Sequence, residues 1–300
     1  LACINNHEGK SFMAKTFSEM LYEKMNIRGV MQADLCRGLC STTAMSRYLQ
    51  GERRIDRMLL TAFMQRLGMS PDKFTTLITQ AEYNYFEWKQ EVVLAQIYGD
   101  YEKVEFLLQD GMAADRKCNE LLQEQFYLMF KGIVAGRIYG DDDTGRKLFD
   151  AAVKLTIPEF PNNLGKNTLF CIQELNAIIL WLELQQDESE KLELYEYLIS
   201  YALRNYKDEL ELVKIYPRLA AGYLELLYHK KRYYECITVS EKVFELMFST
   251  GYVMCLGKIL DINIKSYKAC GDEEKAVKKE SQLAAWNELI EEEKNVGIGD

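Results

Sequence analysis

Five times along its length the chain returns to one kind of turn: YGDYEK at 98–103, YGDDDTGRK at 139–147, QQDESEK at 185–191, HKKRYYE at 229–235 and CGDEEKA at 270–276. With Gly99, Gly140, Gln186, Lys230 and Gly271 as markers, the spacings are 41, 46, 44 and 41 residues. Roughly 20 residues of helical periodicity precede each marker, and a shorter helix of roughly 15 follows it. A period of this size fits stacked helical hairpins, each burying its apolar face against the next. An irregular helical bundle with accidental spacing is the alternative. Either way the chain is all-α. It is 48% apolar with only 4 prolines, and its Leu, Glu, Lys, Ala and Met runs favour helix over strand.

The turns GDYEKV and GDEEKA, and the aromatic-rich helix LAAGYLELLY at 219–228, resemble those of tetratricopeptide repeats. The period departs from the usual ~34 residues, so these are long, degenerate repeats. Pro158 and Pro161 in IPEFPNNLG mark a linker between hairpins, where a helix must stop.

The first 79 residues have a different texture. Phe17, Met20, Leu21 and Met25 lie at helical spacing in 15–25, and IRGV breaks that helix. In MQADLCRGLC, Leu35, Cys36 and Leu39 share a stripe; next comes STTAMSRYLQGERR, with Ser41 as helix cap and Ala44, Met45, Tyr48 and Leu49 as the buried stripe. A fourth helix spans 55–69, and SPDKFTTLIT at 70–79 opens a fifth with Ser70 as N-cap and Pro71 in its first position. Five short helices with tight turns make one small domain over 15–79, preceded by an extension at 1–14 and followed by the repeats at 80–300.

A helix-turn-helix needs an apolar stripe fixing two helices at an angle, with small polar or basic residues on the outer face at the start of the second. Residues 31–50 meet that need. Gln-Ala-Asp-Leu-Cys at 32–36, Ser-Thr-Thr-Ala-Met-Ser-Arg-Tyr-Leu-Gln-Gly at 41–51 and Leu-Gly-Met-Ser-Pro-Asp-Lys-Phe at 67–74 resemble the phage-repressor-like (XRE-type) helix-turn-helix family. That resemblance implies that Gln32 contacts a phosphate and that Thr42, Thr43, Ser46 and Arg47 face the major groove. Arg47 is then the candidate for bidentate guanine readout, and Arg53 and Arg54 grip phosphate. The sequence departs from the family pattern at Gln50, where Glu is common, and at Cys36, where Ala is. A solvated face is the other reading of Arg53, Arg54 and Arg57.

Charge agrees with this division. Residues 1–75 carry a net +4 within a chain of net −9, which puts any polyanion-binding surface at the N-terminal end. The eight cysteines follow no framework spacing and read as packed free thiols, Cys36 and Cys40 among them, although a redox role for that pair stays open. With only His7 and His229 present, no metal site and no cofactor are expected. No HExxH, G-x-S-x-G or Gly-rich phosphate loop occurs, so no enzyme is expected. No apolar run reaches the ~18 residues of a membrane span, and LACINNHEGKSF lacks a signal-peptide core, so a cytoplasmic protein is expected. The chain begins without Met, and Met13 is a possible alternative start.

A small DNA-binding domain followed by such an array resembles the Rgg/PlcR-type (RRNPP) regulators. The architecture expected is a five-helix helix-turn-helix domain, then a right-handed superhelical array of about five hairpins. The resemblance implies a homodimeric, sequence-specific transcription regulator that binds a two-half-site operator in double-stranded DNA and senses a short signalling peptide. Isolated polar residues on the inner helices are the candidates for holding an extended peptide backbone: Gln173, Asn176 and Asn263, with Lys131 or Arg137 for a carboxylate and Tyr223 as an apolar wall. Each has the alternative reading of an interhelix hydrogen bond or a solvent-facing position. The competing function is a tetratricopeptide-like interaction scaffold that does not touch DNA.

Overall fold

A computed structural model describes residues 17–71, 79–111, 120–162, 164–165 and 168–296. Among them every regular element is a helix. The first four are α1 (Phe17–Arg28), α2 (Gln32–Cys36), α3 (Thr42–Leu49) and α4 (Arg57–Arg66). Helix α1 runs past the expected break at IRGV to Arg28, because Ile27 and Arg28 face outward and only Gly29, at φ +64°, turns the chain. Ser41 caps α3 by accepting from the Ala44 N–H at 3.1 Å, and Asp56 caps α4 by accepting from Leu59 at 2.9 Å. The stripes meet in one core of Leu21, Met25, Leu35, Met45, Tyr48 and Phe63. Ala44 and Leu49 sit at its rim. Of the expected fifth helix only Ser70, Pro71 and Thr79 are among the described residues, and the extension at 1–14 lies outside them.

Five hairpins follow: α5 (Gln80–Ile97) with α6 (Tyr101–Gly111), α7 (Glu120–Tyr139) with α8 (Asp142–Thr156), and α9 (Ile172–Glu183) with α10 (Glu188–Asn205). After the single turn α11 (Glu209–Leu212) come α12 (Tyr216–His229) with α13 (Tyr233–Thr250), and α14 (Leu256–Ala269) with α15 (Glu273–Val296). Every hairpin turns at one of the five sequence markers. The expected long-then-short order holds for the first two hairpins and reverses in the rest, where helices of 12, 14 and 14 residues precede helices of 18, 18 and 24. The expected linker at Pro158 and Pro161 is non-helical and extends through 168–171, where the sequence periodicity predicts helix, and 206–215 are taken up by α11 and its flanking turns. The linker is pinned by tyrosine hydroxyls: Tyr201 accepts from the Phe170 N–H at 2.8 Å, and Tyr206 donates to the Phe170 carbonyl at 3.0 Å.

The four-helix unit is seated directly on the array, since its core also takes in Tyr85, Leu122 and Cys171. Two glycines make the closest approaches. A Cβ on Gly38 (φ +66°) would lie 2.0 Å from the Thr156 carbonyl oxygen, and one on Gly68 (φ +61°) 1.9 Å from that of Asn205. At neither place is there room for a side chain. Between them Arg66 reaches across to α9.

Candidate DNA-reading face and ligand cavity

Positions 42, 43, 46 and 47 fall on one side of α3, while Met45 and Tyr48 on the other enter the core. Thr42, Thr43 and Arg47 are exposed; Ser46 and Gln32 are half-buried and joined, the Ser46 hydroxyl donating to Gln32 Oε1 at 3.2 Å. That bond ties the first residue of α2 to the outer face of α3 and fixes the angle between them. The two arginines after Gly51 differ. Arg53 lies over the Tyr48 ring at 5.5 Å, whereas Arg54 ion-pairs with Glu82 at 3.0 Å, a carboxylate that also caps α5 through the Thr79 N–H.

A second feature opens beneath this unit. A cavity of about 630 Å³ lies where α4 meets α5, α7, α9 and α12. Met58, Ala62 and Gln65 of α4 form one wall; Phe86, Phe126 and Phe130 supply much of the apolar surface. Such a volume and lining suit a small ligand. Two of the six peptide-site candidates, Gln173 and Asn176, line it. Gln173 donates to the Leu122 carbonyl at 2.8 Å and to Gln125 Oε1 at 3.0 Å, and accepts from Lys89 Nζ at 2.9 Å. Asn176 accepts from Arg218 Nη1 at 2.5 Å.

The other four candidates do not line the cavity. Lys131 is exposed beside the Tyr127 ring, and Arg137 is exposed over Tyr101. Tyr223 is buried with its hydroxyl donating to Glu196 at 3.1 Å. Asn263 is fully buried in α14, its amide without a hydrogen-bond partner among the described residues. Sequence reasoning passed over Lys89 and Arg218. Their signal is faint: one basic residue in the aromatic run YNYFEWK, and one directly after Pro217 at the start of α12. Burial lowers the Lys89 pKa to about 8.

The cysteines of the helix-turn-helix stretch are both free; Cys36 is in the core and Cys40 packs against it. Among the described residues no cluster of three or more His, Cys, Asp or Glu side chains is arranged to hold a metal ion, and no helix is long and apolar enough to cross a membrane.

No protein-family model and no curated protein matches the chain. Among solved structures it is similar to the crystal structure of Bacillus thuringiensis PlcR in complex with the peptide PapR7 and DNA, at 16% identity and a TM-score of 0.54. The match covers 93% of this chain and 97% of that one. At this identity the likeness is one of fold, and it extends over almost the whole length: the small helical unit and the array that carries it.

Proposed function

We propose that the chain is a sequence-specific DNA-binding transcription regulator whose repeat array binds a short peptide and mediates dimerisation. The observation that carries this reading is the outer face of α3. Thr42 and Thr43 stand exposed in the first turn and Arg47 in the last turn of a capped helix whose reverse side is core, the kind of face with which a recognition helix reads base edges. The solved neighbour of the same fold was crystallised with a peptide and DNA, which supports both partners. In this reading residues 15–79 bind DNA, with Arg47 reading guanine and Gln32, Arg53 and Arg54 meeting phosphate. Residues 80–300 sense and dimerise, in the cytoplasm.

The cavity lies between the two parts, so a ligand there touches α4 and the array together. Its occupancy would bias the seating of the reading unit, and hence the spacing of two such units in a dimer. Arg47→Ala is the test. It is expected to weaken DNA binding while leaving folding and peptide binding intact; unchanged DNA affinity would favour the interaction-scaffold reading instead.

A further inference from the structure

The cavity has an unusual charge balance. Among the described residues its walls include Lys89, Lys214 and Arg218 but no Asp or Glu. Lys214 is neutralised from behind by the buried Glu211 carboxylate at 2.5 Å. The other two cations have no such partner. Lys89 donates to the Gln173 side-chain oxygen at 2.9 Å and sits 4.7 Å from the centre of the Phe126 ring. Arg218 donates to Asn176 at 2.5 Å. Neither forms an ion pair among the described residues.

Neutral amides and a ring face compensate a desolvated cation only in part, so the ligand-free protein holds positive charge inside a largely apolar cavity at a cost. The geometry concentrates that charge. Gln173 and Asn176 are three residues apart on α9 and therefore neighbours on its surface, so one helix presents both cations to the same space. An ammonium has three donors and a guanidinium five, which leaves N–H groups for a further acceptor after each amide is served. The remaining lining is aromatic and aliphatic, from Phe86, Phe126, Phe130, Tyr252, Met129 and Met254.

We infer that Lys89 and Arg218 form a carboxylate clamp, and that the ligand is a short peptide with apolar side chains and an anionic group, not a basic or neutral one. The inference rests on the peptide-sensing reading above and narrows its ligand. The carboxylate comes either from the peptide's C-terminus or from an acidic side chain, and one set of probes separates the two.

The experiment uses the full chain and N-acetylated, unlabelled pentapeptide pools randomised over Ala, Val, Leu, Phe and Pro, with binding read by titration calorimetry. One pool has a free C-terminus and a central Gln, one a C-terminal amide and a central Glu, one an amide and a central Gln, and one an amide and a central Lys. At least one carboxylate-bearing pool is expected to bind about tenfold or more tighter than the neutral pool, as charge-assisted hydrogen bonds allow. Whichever pool shows the gain identifies the source. Lys89→Met and Arg218→Met should each lower the ratio of carboxylate-pool to neutral-pool affinity towards one. The comparison among pools on the unmodified chain stands even if a variant folds poorly. Equal affinity of the first three pools, or tightest binding of the Lys pool, overturns the clamp and leaves peptide sensing in place. Binding of none of the pools overturns the peptide reading and the clamp with it.

Discussion

Arg66 of α4 and Glu174 of α9 form an ion pair of 2.5 Å with side chains 1% and 0% exposed, joining the four-helix unit to the array across a buried interface. The same guanidinium donates to the Leu35 and Arg37 carbonyls at 2.8 and 2.7 Å, at the end of α2. One side chain therefore touches α2, α4 and α9. Glu174 lies between Gln173 and Asn176, the two cavity-lining amides. On the proposed function, a ligand that shifts the first turn of α9 is expected to strain or release the contact that seats the four-helix unit.

Removing one partner of this pair leaves the other charged, buried and alone. Glu174→Ala is expected to cost about 3–5 kcal/mol of stability in urea unfolding. The double variant Arg66→Met/Glu174→Leu should recover most of that loss and yet loosen the response of DNA binding to ligand. A cost below about 1 kcal/mol for Glu174→Ala would mean that the pair is not desolvated.

The two interface glycines differ from those in open turns. Gly38→Ala and Gly68→Ala each place a Cβ within 2.0 Å of a backbone carbonyl oxygen, at a φ that already disfavours Ala. Each is expected to cost more than about 2 kcal/mol and to unseat the four-helix unit, measured as faster amide exchange in α2 and α4. Gly51→Ala, with nothing within 4 Å, should cost only about 1 kcal/mol. Equal costs at the three positions would contradict the close seating.

Arg53 is proposed to meet phosphate and not a base edge. Arg53→Ala should weaken DNA binding about equally for all sequences and reduce the slope of log affinity against log salt by about 1. A change in sequence preference would instead place Arg53 in a groove.

Lys89 gives a pH signature with a definite sign. Its folded pKa of about 8 lies below the 10.5 of an ordinary lysine. The unfolded chain therefore binds the proton more strongly, and Lys89 opposes folding fully below about pH 8. That penalty fades as pH rises towards 10.5. The other titratable groups lining the cavity are Cys171, Lys214, Arg218, Tyr101 and Tyr252, and burial pushes the Cys171 thiol up, so it stays neutral through this window. Lys89→Met should therefore stabilise the ligand-free protein at pH 7 by about 1–3 kcal/mol, with a smaller gain at pH 9.5, read from urea midpoints. Destabilisation at both values would show that the ammonium is already compensated.

What the sequence made legible was what is local. The stripe of α3, its Ser41 cap and the five hairpin turns depend on residues a few positions apart, where periodicity and turn chemistry act. The hairpin helix lengths were read wrongly where tertiary bonds intervene, as where Tyr201 and Tyr206 hold Phe170 in the linker. The cavity was half legible. Gln173 and Asn176 stood out as amides in an apolar helix, but their partners Lys89 and Arg218 lie 84 and 42 residues away. Asn263 gave the same local signal as Asn176, and the fold buried it outside the cavity lining. Local pattern marks a polar residue as exceptional; only the packing of distant helices decides what it meets.

The claim that α3 reads DNA sequence is tested most directly by selecting from a random duplex library, at low salt, with the intact chain and with folded Arg47→Ala. The expected result is enrichment of one motif repeated in two half-sites by the intact chain, with the variant losing preference at a position that holds guanine. No enrichment by the intact chain, or the same motif from both proteins, would contradict it.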